Sequence, residues 1–387
     1  MTRVTGDWLS GTGTQTVLGM LEAAGHEGFA VGGCVRNALL GVAVSDVDIS
    51  TDARPERVME LAKAAGLKAV PTGIDHGTVT IVVAGEGFEV TTYRADVETD
   101  GRRAVVRFAD DIAQDAVRRD FTMNALYAAR DGQLVDPLGG LPDLHARRVR
   151  FIEDADRRIR EDYLRILRFF RFSAWYGDPE TGMDPEALAA IAGNLDGLDT
   201  LSRERVGGEM LKILAAPDPV MAVSVMERVG VLPHVLPGGS ARALGPLRLL
   251  ETQVGLEPDP LRRLAATGFA DGAALRLSKA RQKVLDLFHA LVPQTASGAE
   301  IAYRHGAATA RDVLVLRAAT LEQPLAPDAL SGLEAAAQAR CPVTARDLMP
   351  AYKGAALGEA LRALEARWIA SGFTLDKPAL LATLPEG

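Results

Sequence analysis

Two aspartates, Asp46 and Asp48, stand one residue apart in the stretch "SDVDIS" (45–50). Its alternating polarity predicts a strand, and on a strand positions i and i+2 face the same side. Carboxylates that close repel unless something positive lies between them. A divalent cation does that, and an all-oxygen donor set suits Mg²⁺. Two such ions can clamp the attacking and leaving oxygens of a phosphoryl displacement. An isolated D-x-D also arises where one aspartate merely caps a turn, so the neighbours must decide.

The neighbours point to a phosphate. "GFAV" (28–31) reads as a buried strand that ends at Gly32 and Gly33, and "CVRNALLG" (34–41) as a short helix closed by Gly41. Bare glycine N–H groups at a strand-to-helix turn can approach an anion closely. Arg36, about one turn into that helix, can add a forked guanidinium. A phosphate cradle beside a metal platform is the outline of a nucleoside triphosphate site. Glu89 in "FEVTTYR" alternates outward from Phe88 and Val90. It is either a third carboxylate toward the metals or a solvated strand residue.

A second constellation lies in "EDYLRILRFFRF" (161–172). On one continuous helix Asp162, Arg165, Arg168 and Arg171 run at spacing three, beside an apolar stripe of Leu164, Leu167 and Phe170. The plain reading is a salt-bridged surface helix. The other reading sets Asp162 and Arg165 against a base edge, the carboxylate accepting and the guanidinium donating hydrogen bonds. Cytosine and adenine offer an exocyclic amine next to a ring acceptor; uracil and guanine present the reverse. A mismatch leaves buried polar groups unpaired, at about 1–3 kcal/mol each. "RRDFTMNALYAAR" (118–130) reads as a helix whose first residues, Arg118, Arg119 and Asp120, either bind a triphosphate or lock two parts of the chain together; Asp120 also suits a simple N-cap.

The elements that must position these groups form two regimes. "RPERVMELAKAAG" (54–66) has helical spacing with Pro55 in its first turn, and "GTVTIVVAG" and "GFEVTTYR" read as antiparallel strands joined by "GEG". With a helix near 14–25, the order suggests a small mixed sheet with helices on one side. Residues 95–117 are charged and weakly periodic, and read as a mobile loop. From about residue 145 the spacing is helical, with segments such as 156–177, 202–215, 218–229, 326–339 and 356–371 broken by Pro and Gly. The fold class is therefore α+β: a sheet-containing head followed by an all-helical remainder.

Composition narrows the class further. The chain has 387 residues, a net charge of −8 and 48% hydrophobic residues, which fits a folded protein of two or more domains. The N-terminus holds no signal-like apolar run, and no segment approaches ~18 uninterrupted apolar residues, so no membrane span is expected. Cys34 and Cys341 are far apart, in line with a reducing cytoplasm. The negative total argues against polyanion binding only weakly, because nine arginines crowd into 147–171 and five more into 102–119. Most of these are expected to pair with nearby Asp and Glu.

Taken in order, "GGCVRNALLG", "SDVDIS", "HGTVTIVV", "FEVTTYR", "DGRR", "RRDFTMNALY", "VDPLGGLPDL" and "EDYLRILRFFRF" resemble the class II tRNA nucleotidyltransferase and bacterial poly(A) polymerase family; "LSRERVGGEMLKIL" (201–214) extends the match. The resemblance implies a nucleotidyltransferase head (1–140), a helical neck that selects the base (141–215), a helical body (216–295) and a tRNA-binding tail (296–387). It implies Mg²⁺ on the catalytic Asp46 and Asp48. It implies triphosphate contacts from the Gly32–Gly33 turn, Arg36 and Arg119, and base selection by Asp162 and Arg165 with Arg168 and Arg171 assisting. "DVETDGRR" (96–103) corresponds to the segment that helps switch between C and A. One departure is Asn37, where many members carry Asp; Asn keeps an acceptor that can orient Arg36. The six histidines form no appended phosphohydrolase cluster.

Within such a family the activities to separate are CCA addition to tRNA from CTP and ATP, A-only addition, and poly(A) tailing. The acidic and neutral C-terminal helices, lacking a long basic extension, favour CCA addition. A non-catalytic RNA-binding protein on the same scaffold has no reason to keep Asp46 and Asp48 facing a polyanion. Residues 240–340 carry no reading beyond helical packing, and Trp368 and Phe373 are expected in the core of the tail.

Overall fold

The computed structural model describes residues 2–99, 104–349 and 351–384. The chain divides into two compact units, Met1–Pro237 and Gly238–Gly387. The first begins with the expected sheet. Its strands are β1 (Gly28–Val31), β2 (Asp48–Thr51), β3 (Lys68–Gly73), β4 (Thr78–Val83), β5 (Glu86–Thr92), β8 (Tyr127–Ala128) and β9 (Leu134–Val135), ordered β3-β4-β5-β2-β1-β8-β9. β2 and β5 run parallel, while β1 pairs antiparallel with both β2 and β8, so the sheet is mixed. Helices α1 (Asp7–Ser10), α2 (Thr12–Ala23), α3 (Gly33–Leu39) and α4 (Pro55–Ala64) belong to this half. Val17, Leu18 and Leu21 of α2 and Val58 and Ala62 of α4 bury against Ile49, Val79, Ile81 and Val90 of the strands. That burial is what the alternating strand residues and the helical apolar stripes make available.

Three sequence expectations for this half are corrected. Residues 95–117 are not one loop: β6 (Arg94–Thr99) pairs antiparallel with β7 (Ala104–Phe108), and α5 (Ile112–Val117) follows, capped by the Asp111 carboxylate accepting from the Ala113 N–H. The valines and threonine of those strands favour extended backbone, and the interspersed charges hid their period. The intervening 100–103, with Arg102 and Arg103, lie outside the described residues. "RRDFTMNALYAAR" is not a helix either. It forms a 3₁₀ turn at Thr122–Asn124 and then strand β8. Tertiary partners override its helical propensity: Phe121 is extended and packs on Phe151, and the Leu126 carbonyl accepts from the Gly32 N–H. Finally, β2 begins at Asp48, so Asp46 lies in the approach to the strand and not on it. Asp48 pairs with Val31, the last residue of β1; beyond Val31 the chain turns into α3 and offers residues 45–47 no strand on that side.

The rest of the first unit is helical: α6 (Leu141–His145), α7 (Ala155–Glu161), α8 (Leu164–Tyr176), α9 (Pro185–Ala192), α10 (Arg203–Leu214), α11 (Val220–Arg228) and α12 (Val231–Val235). The single helix expected over 156–177 is two. Asp162 takes an extended conformation (φ −156°, ψ 104°) between α7 and α8. Gly197 leaves room for Tyr163 at this break, since a Cβ there would sit 2.0 Å from the Tyr163 ring. Phe169, Phe170 and Phe172 of α8 face the core, where Phe169 stacks on Phe151 and Phe172 packs at a tilt on Phe121, while Trp175 stays exposed.

The second unit contains α13 (Leu244–Gln253), α14 (Pro260–Ala266), α15 (Lys279–Leu291), α16 (Gly298–His305), α17 (Ala307–Thr320), α18 (Leu333–Gln338), α19 (Ala345–Leu348), α20 (Gly354–Ala370) and α21 (Lys377–Leu381). In its interior Glu251 accepts from Arg263 (2.7 Å) and Arg262 (3.0 Å), and Arg262 also reaches Asp312 (2.7 Å). Trp368 is buried with Leu364 and Leu380, with Phe373 and Tyr303 packed against it, the core role expected for these rings. Among the described residues no helix is long and apolar enough to cross a membrane.

Candidate active site

A cleft of about 490 Å³ in the first unit collects most of the predicted residues. From the sheet side come Gly32, Gly33, Arg36, Asp48 and Arg119. From the helical side come Asp162, Arg165, Arg168 and Arg171. Asp46 and Glu89 stand outside its lining. A larger cleft of about 850 Å³ in the second unit has Glu300 as its one ionisable lining residue, which leaves little to do chemistry with.

The glycine turn owes its shape to Gly32, whose φ of 73° and ψ of −116° suit glycine alone. A Cβ there would lie 3.4 Å from the Arg119 guanidinium, so the missing side chain keeps the space between turn and arginine open. Arg36 is buried, and its hydrogen-bond partners are neutral: Asn124 Oδ1 (2.6 Å), Asn37 Oδ1 (2.9 Å) and the Tyr176 hydroxyl (2.8 Å). Burial lowers its pKa, with Arg171 adding to the effect and Tyr176 and Asp120 opposing it. A buried cation whose bonded acceptors carry no charge retains its attraction for an anion. Asn37 holds Arg36 as expected, while its own amide donates to the Ala43 carbonyl.

Arg119 is fixed by a carboxylate the sequence reading passed over. Asp115 is fully buried and accepts from Arg118 Nε (2.7 Å), Arg119 Nη2 (3.1 Å), the Tyr127 hydroxyl (2.9 Å) and Ser50 Oγ (3.2 Å). Burial alone would raise its pKa, but Arg119 and Arg118 outweigh burial and hold it at about 2. Ser50 lies on the strand that begins with Asp48, so one carboxylate ties the acidic strand to the arginine opposite the turn. Asp120 is not a helix N-cap. It is buried, accepts from the Phe121 N–H and the Asn124 amide, and pairs with Arg168 (2.7 Å to Nε). Arg158 and Arg165 donate to the Arg118 carbonyl, which fastens α7 and α8 to the sheet half.

The acidic groups offer oxygen donors suited to a hard divalent ion. Asp48 lies directly across from Glu89 in parallel register, so their side chains share a sheet face. Asp46 accepts from Ser45 Oγ at 2.8 Å. The Asp48 pKa is raised. Crowding by protein atoms is the largest cause even though the side chain keeps an open face to solvent; Glu89 and Asp46 add like-charge repulsion, and Arg119 opposes them. A bound cation would relieve that repulsion, so the donor set fits one. Among the described residues no three Asp, Glu, His or Cys side chains are gathered as a ready metal cage. Below Asp48 the Cys34 thiol is pushed up to about 11, chiefly by burial, which leaves it a poor nucleophile.

On the helical side the predicted single stripe resolves into separate pairs. Asp162 accepts from the Leu164 N–H (3.1 Å) and from Arg205 Nη2 (2.7 Å). Arg165 binds Glu161 Oε2 (2.6 Å) and the Arg158 carbonyl (2.8 Å). Arg171 binds Glu209 Oε2 (2.6 Å). Arg205, which also lines the cleft, was missed, although it stands in the quoted "LSRERVGGEM".

The sheet half and its cleft define a nucleotidyltransferase head. Residues 28–150 match the family described as "Poly A polymerase head domain", and residues 182–242 that described as "Probable RNA and SrmB- binding site of polymerase A". Over 96% of its length and 96% of the relative's, the chain is 32% identical to the CCA-adding enzyme of Levilactobacillus brevis, and it belongs to the family of CCA-adding tRNA nucleotidyltransferases. It is also 39% identical over 255 residues to the mitochondrial CCA tRNA nucleotidyltransferase 1 of Mus musculus, a match that covers 66% of this chain and 59% of the mouse protein. The solved Bacillus stearothermophilus CCA-adding enzyme in complex with CTP is similar in fold, with a TM-score of 0.70, 27% identity and 92% of each chain covered. Membership of this family implies dependence on a divalent metal.

Proposed function

We propose that the chain adds C and A to the 3′ end of tRNA from CTP and ATP, without a nucleic-acid template, by nucleotidyl transfer that releases pyrophosphate. The observation that carries this reading is the single cleft in which a glycine turn, Arg36, Arg119 and Asp48 meet Asp162 and Arg165. Groups suited to a triphosphate and groups suited to a base edge stand in one cavity. Likeness to CCA-adding enzymes along nearly the whole chain supports the same reading.

In this mechanism the Gly32–Gly33 turn, Arg36 and Arg119 seat the triphosphate. Asp162 accepts from the exocyclic amine of cytosine or adenine and Arg165 donates to the adjacent ring nitrogen, while Arg168 and Arg171 support them from the same helix. Asp46 and Asp48, with Glu89 beside them, would hold Mg²⁺, which supplies Lewis-acid stabilisation of phosphoryl charge when bound. The tRNA 3′-oxygen bonds to the α-phosphorus as the bond from that phosphorus to the pyrophosphate oxygen breaks, and the hydroxyl proton leaves to solvent. The head is assigned to 1–140, the base-selecting neck to 141–215, the body to 216–295 and a tRNA-binding tail to 296–387.

The test is incubation with tRNA lacking its CCA end and with CTP, ATP, UTP and GTP, singly and together. Addition of two C residues and then one A is the expected outcome. Long A tracts would identify a tailing enzyme, and A alone on a C-ended tRNA an A-adding one. Salt-sensitive tRNA binding without Mg²⁺-dependent extension would leave only an RNA-binding protein.

A further inference from the structure

Asp162 sits in a helix break, where its backbone alone does not fix the carboxylate. Rotation about the Asp χ2 bond is broad, so a carboxylate with one neighbour turns easily. Here Oδ1 takes the Leu164 N–H at 3.1 Å and Oδ2 takes Arg205 Nη2 at 2.7 Å. Arg205 arrives from the first turn of α10 with 37% of its side chain exposed, while that of Asp162 is 29% exposed. Four residues on, Glu209 of the same helix grips Arg171. α10 therefore presents a cation and then an anion to an anion and a cation on the α7–α8 side, a complementary pair of contacts at one-turn spacing.

The Arg165 side chain takes no part in holding the Asp162 carboxylate; only its backbone N–H donates to Asp162, at the carbonyl (2.9 Å). Its guanidinium goes to Glu161 and to the carbonyls of Arg158 and Arg118. The two groups proposed to read the base edge are thus aimed by different partners. Resting on that reading of Asp162, we infer that Arg205 is a specificity-determining positioning residue: by holding one carboxylate oxygen it aims the remaining acceptor lone pairs of Asp162 into the cleft, toward an exocyclic amine. Each carboxylate oxygen has two acceptor positions, so the Leu164 N–H and Arg205 occupy one on each and leave one on each for a ligand. Without Arg205 the carboxylate is free to swing, and rejection of bases that present a carbonyl at this point weakens.

The test compares kcat/KM for CTP, ATP, UTP and GTP on tRNA lacking its CCA end, using the full chain with Arg205→Met, Arg205→Lys, Asp162→Asn and the unchanged protein. Arg205→Met preserves length without charge and is expected to lower the preference for CTP over UTP, and for ATP over GTP, by about tenfold, the loss of one charge-assisted hydrogen bond. Arg205→Lys is expected to restore part of that preference. Thermal unfolding confirms that each variant is folded, and the lysine variant carries the test if the methionine variant is not. Equal loss for all four nucleotides, or an unchanged preference in Arg205→Met while Asp162→Asn shifts it, would overturn the role of Arg205 and leave the base-reading proposal standing. An unchanged preference in Asp162→Asn would instead remove the base-reading proposal itself, and the role of Arg205 with it.

Discussion

The Arg36 guanidinium lies 4.1 Å from the centre of the Tyr176 ring and donates to its hydroxyl at 2.8 Å. Tyr176 is the last residue of α8, the helix that also carries Arg165, Arg168 and Arg171. On the proposed reading of the cleft, the same helix would touch both ends of a bound nucleotide. Tyr176→Phe keeps the ring contact and removes the hydroxyl. A hydrogen bond to a charged group contributes about 1.5–3 kcal/mol to stability, so the thermal midpoint should fall, and the KM for CTP should rise severalfold as Arg36 loses one of the groups that orient it. Steady-state kinetics at varied CTP checks it.

Asp115→Asn tests the buried hub beneath Arg119. A carboxyl held at about 2 is depressed below its ordinary value near 4, so it contributes stability that is fully present above that ordinary value and fades as pH falls through about 2. Loss of that contribution amounts to about 2 kcal/mol at neutral pH. The stability gap between the unchanged protein and Asp115→Asn should close between about pH 4 and pH 2, as read by urea unfolding at a series of pH values. A gap that stays constant over that range would contradict the assigned ion pairs.

The acidic strand start makes a sharper demand. Asp46→Ala and Asp48→Ala should each cut nucleotide incorporation by at least about a thousandfold, since on the proposed reading each removes a metal-holding carboxylate and with it several kcal/mol of charge stabilisation. Circular dichroism should show the fold retained. A chelator should silence the unchanged protein, and added Mg²⁺ should restore it.

In the second unit Glu251 is buried between Arg262 and Arg263. Removing the shared carboxylate of such a buried group costs about 3–5 kcal/mol, even though Arg262 keeps Asp312. Glu251→Ala should lower the urea midpoint accordingly while the folded protein binds CTP as before, measured by calorimetry.

Much of this was legible in the sequence wherever local pattern and tertiary role agree. Gly32, Arg36 and Asp48 could be placed because a strand, a turn and a short helix each carry their own signal within twenty residues. The α2 and α4 faces followed from apolar spacing. Where long-range partners decide, local pattern failed. Phe121 is drawn into extended backbone by Phe151, thirty residues away in sequence, so a stretch with helical propensity became a turn and a strand. The break at Asp162 depends on Gly197 making room for Tyr163, which no spacing rule within 156–177 contains. Asp115 and Arg205 were overlooked for a related reason: a single charged residue announces nothing until the fold brings its partners to it.

The cleft arginines have a consequence for solution behaviour. Arg119 faces Asp115, Arg165 faces Glu161, Arg168 faces Asp120, Arg171 faces Glu209 and Arg205 faces Asp162, whereas Arg36 meets neutral oxygens. Most of the cavity's charges are thus already paired within the protein, with Arg118 and Arg119 sharing Asp115, and few small counterions are held there for an arriving nucleotide to displace. Added potassium chloride screens exposed charges far more than buried pairs. Mononucleotide affinity should accordingly fall only gently with ionic strength, and any steep salt dependence in the complete reaction would have to originate where the polymeric substrate meets the exterior.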